Sequence, residues 1–153
     1  MTAPVKPIPE GYEAVTPYLV VKDAARAIDF YKEAFGATEL MRFDDNGKVG
    51  HAELRIGQGI VMLADEYPER GYAAPAPGAS TPVSLMMYVE DADAVVATAE
   101  QAGATVERPV TTQFYGDRMG GIVDPFGHRW YIATHVEDVP PEELAARASQ
   151  ADR

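Results

Sequence analysis

Val21-Lys22-Asp23-Ala24 opens a helical pattern that ends at Gly36-Ala37-Thr38, and Val89-Glu90-Asp91-Ala92 opens a second that ends at Gly103-Ala104-Thr105. The two openings lie 68 residues apart and the two endings 67. Asp23 suits an N-cap, Ala24, Ala27, Ile28, Tyr31 and Phe35 recur at helical spacing, and Gly36 suits the residue that ends a helix. The correspondence continues beyond the helices. Gly47, Ala52-Glu53-Leu54 and Met62-Leu63-Ala64 align with Gly116, Gly121-Ile122-Val123 and Tyr131-Ile132-Ala133 at an offset of 69. A repeat this long makes each half a supersecondary unit that needs a partner, and it puts the expected ligand site where the halves face each other.

Each half reads βαβββ. Residues 1–13 are proline-bearing and form an expected N-terminal arm, and 14–64 the first module. Residues 65–82, with Pro68, Gly71, Pro75, Pro77, Gly78 and Pro82, form the linker, and 83–135 the second module. The tail 136–153 carries a short helix that starts at Pro140-Pro141-Glu142-Glu143, with proline and acids in its first turn. Pro17 points to an edge or a bulge. Asp44-Asp45-Asn46-Gly47 signals a hairpin turn, and Asp124-Pro125-Phe126-Gly127 a second turn whose Asp124 is structural.

The chain of 153 residues is 46% hydrophobic, enough for a real core. No apolar run approaches the roughly 20 residues of a membrane span, and residues 1–7 show no apolar signal region. Zero cysteines exclude disulfides, thiolate metal sites and thiol catalysis, and fit a cytoplasmic setting. A net charge of −11 argues against nucleic acid, which selects basic surfaces, and favours solubility or a cationic ligand.

Side chains alternate across a strand. The helix-covered face should hold Val15, Leu19 and Val21, Ala52 and Leu54, Val61 and Leu63, Val83, Leu85 and Met87, and Trp130 and Ile132. Opposite parity then brings Thr16, Tyr18, His51, Glu53, Met62, Ser84, Met86, Tyr88, Arg118, Gly120, Ile122 and Tyr131 to the free face. That set is aromatic, methionine-bearing and sparsely charged, which is the composition of a small-molecule pocket.

At this point the chain resembles the vicinal oxygen chelate superfamily, which includes glyoxalase I, bleomycin-resistance proteins, fosfomycin-resistance enzymes and extradiol dioxygenases. The residues that carry the resemblance are Pro17-Tyr18-Leu19-Val20-Val21-Lys22-Asp23, Ala27-Ile28-Asp29-Phe30-Tyr31, Phe35-Gly36-Ala37, Tyr115-Gly116-Asp117-Arg118 and Asp124-Pro125-Phe126-Gly127-His128-Arg129-Trp130-Tyr131. The resemblance covers roughly residues 14–135. It implies an α+β fold in which paired βαβββ modules form a cupped mixed sheet, usually as a dimer. Metal enzymes of the family place one His, Gln or Glu on the first and last strand of each module. Those positions are Thr16, Met62, Ser84 and Tyr131 here, a poor donor set for a divalent ion. The resemblance is therefore to the metal-free, drug-sequestering branch.

The sequence thus predicts a metal-independent binding protein, without cofactor, that encloses a drug-like or cationic aromatic molecule and forms a homodimer. Its ligand-binding residues are Tyr18, His51, Glu53, Met62, Met86, Tyr88, Arg118 and Tyr131. Arg118 would clamp a ligand anion, or else pair with Asp117 or Glu53. His51 and Glu53, two residues apart on one strand face, would act as base and orienter, as two metal ligands, or as a hydrogen-bonded rim pair. A metal-dependent glyoxalase-type lyase or isomerase centred on that pair is the alternative, and a cavity that has lost its ligand is a third. No nucleic acid or membrane partner is expected.

Overall fold

The computed structural model describes residues 3–151; residues 1–2 and 152–153, the ends of the expected arm and tail, lie outside the described residues. The chain forms two compact units, residues 1–75 and 76–153, and the division falls inside the predicted linker. The fold is α+β, and the described residues form two four-stranded mixed sheets and three α-helices. No described helix is long and apolar enough to cross a membrane.

In the first unit β1 (Tyr18–Val21) leads to α1 (Ala24–Phe35), then to β2 (Thr38–Asp45), β3 (Lys48–Ile56) and β4 (Gly59–Asp65). The strand order is β1-β4-β3-β2, with β1 parallel to β4 and the other pairs antiparallel. In the second unit β5 (Leu85–Tyr88), α2 (Ala92–Gln101), β6 (Thr105–Thr112), β7 (Asp117–Val123) and β8 (Arg129–His135) repeat the pattern in the order β5-β8-β7-β6. The tail forms α3 (Pro141–Gln150), with Pro141 in its first turn and none of its residues buried.

Local chemistry accounts for these elements. Asp23 caps α1 by accepting from the Arg26 amide at 3.3 Å, and Asp91 caps α2 by accepting from the Ala94 amide at 3.0 Å. α1 buries Ala24, Ala27, Ile28 and Tyr31 at the predicted helical spacing, and Phe30 and Ala34 with them, while Phe35, expected in the set, is half-buried. Asn46 and Gly47, at φ 48° and 85°, close the β2–β3 hairpin between the paired Asp45 and Lys48. Positive φ at both central residues matches the twist of the strands they join. Pro17 precedes edge strand β1, and Pro109 lies in edge strand β6, where no missing ladder donor is felt.

The helix-covered faces hold Leu19, Val21, Ala52, Leu54 and Leu63 in the first unit, and Ile122, Trp130 and Ile132 in the second, all buried. Val15 and Val83 do not join them. They precede β1 and β5 and are 86% and 71% exposed.

The repeat also seats each helix in the same way. Ala24 and Ala92, the first residues of α1 and α2, each donate an amide hydrogen to a side chain on the last strand of their own module. The acceptor is Asp65 Oδ1 at 2.9 Å in the first unit and Thr134 Oγ1 at 2.9 Å in the second. Asp65 is buried, and its second oxygen accepts from the Val49 amide at 2.7 Å.

One step of the repeat is misread from sequence. Glu53 pairs with Met62, nine positions on, whereas Gly121 pairs with Tyr131, ten positions on. Between the equivalent pairs Arg55–Ile60 and Val123–Arg129 the β3–β4 connection therefore has four residues and the β7–β8 connection five, one more. Because side chains alternate, a slip of one residue moves a whole strand's set to the other face. The counterparts of His51 and Glu53 are Met119 and Gly121, and not Gly120 and Ile122. Ile122, expected on the free face, is completely buried on the helix-covered one.

Candidate functional site

The open face of the first sheet holds a hydrogen-bonded chain. Register places Tyr18 beside Met62, Met62 beside Glu53, and His51 beside Phe43. The Tyr18 hydroxyl lies 2.7 Å from His51 Nδ1, and His51 Nε2 lies 2.7 Å from Glu53 Oε2. The Tyr12 hydroxyl donates to the other Glu53 oxygen, so the predicted arm is anchored on this face. Phe43 stacks on the imidazole with ring centroids 6.4 Å apart.

Glu53 is only 6% exposed. Burial pushes its carboxyl upward, but the hydrogen bonds from His51 and Tyr12 outweigh this and leave it below the usual carboxylate range. The Tyr18 phenol is pushed up by burial, then by the negative charge of Glu53 and by Tyr72, so it keeps its proton.

Next to this chain the first unit has a cavity of about 570 Å³. Tyr18, Val20 and Ala64 supply its sheet side, and Tyr67, Arg70 and Tyr72 close it from the segment after β4. That segment is tied down: Tyr67 and Tyr72 exchange backbone hydrogen bonds of 2.7 and 3.1 Å, and the Tyr67 hydroxyl donates to Asp45 at 3.0 Å. Lys48 Nζ and the Arg70 guanidinium lie 4.7 and 5.1 Å from the Tyr67 ring centre. This wall already takes cations against an aromatic ring. The sequence reads as a proline-rich linker here, and its tyrosines were the one available signal that it forms a wall.

The second sheet's open face carries Met86, Tyr88 and Tyr131, with Tyr131 lying over Gly121. A second chain runs along it. The buried Asp117 accepts from the Tyr88 hydroxyl at 2.8 Å and lies 2.8 Å from His135 Nδ1, while His135 Nε2 lies 2.7 Å from Asp138. Asp117 was missed as a candidate because the one-residue slip turned it to the wrong face, and His135 because it carries no motif.

The same slip corrects Arg118. It pairs with Thr134, on the helix-covered side, and its guanidinium makes a two-pronged bond to Asp93 of α2 at 2.6 and 2.8 Å. It pairs with neither Asp117 nor Glu53, and it leaves the ligand-facing set. The remaining predicted residues fall into two groups: Tyr18, His51, Glu53 and Met62 on the first unit, and Met86, Tyr88 and Tyr131 on the second.

His135 yields a pH prediction. Hydrogen bonds that it donates to Asp117 first, then to Asp138, hold its imidazolium above the usual histidine range. A raised folded-state value contributes stability that is complete below the ordinary value of about 6.5 and is lost as pH rises through the folded one. The melting-temperature gap between the parent and His135→Gln should therefore be widest below about pH 6.5 and close above it. A gap that widens with rising pH would contradict this assignment.

The residues at the family's metal positions do not suit a divalent ion. Met62 offers a thioether and Tyr131 a phenol. Thr16 and Ser84 lie before β1 and β5 and not within them, and the Thr16 hydroxyl donates to the Glu13 carbonyl at 3.2 Å.

A family model described as the glyoxalase/bleomycin resistance protein/dioxygenase superfamily matches residues 13–132. The chain belongs to this superfamily. A superfamily relative, the uncharacterized protein Mb0911c of Mycobacterium bovis, is 44% identical over 144 residues, covering 91% of this chain and 95% of its own. Among solved structures, TioX from Micromonospora sp. ML1 is similar with a TM-score of 0.64 and 28% identity, over 81% of this chain and 99% of its own. The Arabidopsis thaliana protein At5g48480 has a TM-score of 0.60 and 29% identity, over 80% of this chain and 98% of its own.

Proposed function

We propose that this superfamily member is a metal-independent, cytoplasmic binding protein for a small cationic aromatic molecule. The observation that carries the reading is the cavity beside β1, whose volume of about 570 Å³ suits a drug-sized ligand and whose walls include Tyr18, Tyr67 and Tyr72. Aromatic faces and a net charge of −11 both favour a cation. Metal independence is supported by the chemistry of the polar pair. His51 directs both ring nitrogens, and Glu53 both oxygens, to Tyr18, Tyr12 and each other. A metal at this pair would have to break those bonds, which weakens the reading as a metal-dependent lyase or isomerase. Phe43 and Tyr88, 61% and 62% exposed, are surfaces that the expected homodimer would cover, and sedimentation would test that expectation.

The test uses chelator-treated protein and a planar aromatic cation with its neutral analogue. At a hundredfold excess over Kd the cation should add about 2.7 kcal/mol of stability, or about 5–10 °C in melting temperature. Tyr72→Ala should weaken it about tenfold, the scale of one lost cation–aromatic contact. Equal stabilisation by the neutral analogue would reject the cationic preference. Stoichiometric Ni²⁺ or Zn²⁺ in untreated protein, lost in His51→Ala, would restore the enzymatic reading.

A further inference from the structure

The chain Tyr12–Glu53–His51–Tyr18 fixes which way its protons point. An ionised carboxylate can only accept hydrogen bonds. Glu53 receives the Tyr12 hydroxyl on one oxygen and faces His51 Nε2 with the other, so Nε2 must carry a hydrogen. In the neutral ring Nδ1 then carries a lone pair, and the Tyr18 hydroxyl, 2.7 Å away, donates to it. The only capacity left on the Tyr18 oxygen is to accept. Tyr18 is half-exposed and forms part of the cavity wall.

We propose that Tyr18 presents a hydrogen-bond acceptor to the cavity, so that the site selects ligands carrying an N–H or O–H donor, above all a protonated amine or amidine, and that Glu53 sets this polarity through His51. The inference rests on the cavity being a ligand site, and it adds the polarity of the ligand's anchoring group. Tyr18 is the binding residue; His51 and Glu53 act through it as positioning residues.

Glu53→Gln gives a specific reversal. Tyr12 donates to the glutamine oxygen, which turns the amide NH₂ toward His51 Nε2. The ring then carries its hydrogen on Nδ1 and donates to Tyr18, whose own hydroxyl hydrogen turns to the cavity. The variant should welcome acceptors where the parent welcomes donors.

The experiment is titration calorimetry at about pH 8.5, above the ordinary imidazole range. The probes are benzylammonium, benzyltrimethylammonium (the same charge without N–H donors) and acetophenone (an acceptor only). The parent should bind benzylammonium at least about tenfold more tightly than the trimethyl cation, which is about 1.4 kcal/mol. Tyr18→Phe should abolish that difference. Glu53→Gln should weaken benzylammonium and strengthen acetophenone severalfold, and losing a negative charge does not explain a gain by a neutral probe. A parent that does not distinguish the two cations, a preference that survives Tyr18→Phe, or a Glu53→Gln variant with unchanged order would each overturn the proposal. If none of the probes binds or raises the melting temperature, the cavity reading itself falls and this inference with it.

Discussion

Replacing Asp65 with alanine should lower the unfolding free energy by about 2–6 kcal/mol, from two buried amide donors losing their acceptor at about 1–3 kcal/mol each. The donors are the amides of Ala24 and Val49, residues that are 0% and 3% exposed. Asp65 ends β4 and holds the first turn of α1, so the loss loosens the attachment of the helix as well as two bonds. Asp65→Asn should recover part of the loss, since one amide oxygen can still accept. An unfolding free energy from urea titration for Asp65→Ala within about 1 kcal/mol of the parent would show that the seat is not what holds α1.

The second large effect belongs to Asp124, in the turn between β7 and β8. Its Oδ1 accepts from the Phe126 and His128 amides at 2.9 and 3.0 Å, and its Oδ2 accepts from Trp130 Nε1 at 2.9 Å. Asp124→Ala should cost about 2–4 kcal/mol. The turn amides are half-buried and can recruit water, whereas the indole of Trp130, 3% exposed, cannot easily do so. Asp124→Asn separates the two parts. An oriented amide keeps its oxygen on the turn amides but places NH₂ against the indole N–H, so the variant should fall between parent and alanine. Trp130 fluorescence should report the change locally. An alanine variant as stable as the parent, with an unshifted emission maximum, would mean that the turn does not depend on this carboxylate.

The elements legible in the sequence are those fixed by short-range chemistry. The cap at Asp23 and the Asn46-Gly47 turn stand where the sequence places them. So does the proline-led α3, and the superfamily membership read from the strand and turn motifs is shown by the family match. The free-face parity of β3 and β4 was also legible, because the two-residue turn Gly57-Gln58 leaves no doubt about register.

Errors arose where a constant offset was carried through a turn of different length. The five residues between the paired Val123 and Arg129 were aligned as if they matched the shorter β3–β4 connection, and Arg118 and Ile122 changed face as a result. The remaining gaps are long-range. Tyr12 reaches Glu53 across 41 positions and His135 reaches Asp117 across 18. No local pattern encodes such meetings, which depend on strand pairing and on how far a side chain extends. Tyr67 and Tyr72 were hidden for another reason: Pro68 between them and Pro75 and Pro77 after them marked their segment as a connector, while its folding depends on a backbone pair between the two tyrosines.

The extra residue in the β7–β8 turn has a consequence for anyone who recombines the two halves. A segment of β3 transplanted into β7 by matching letters would present its open face to α2 and its core face outward. To arrive in the correct orientation it must bring its own Gly57-Gln58 hairpin and β4 with it. The unit of exchange in this duplicated protein is the hairpin, because one inserted residue acts on side chains as a frameshift acts on codons.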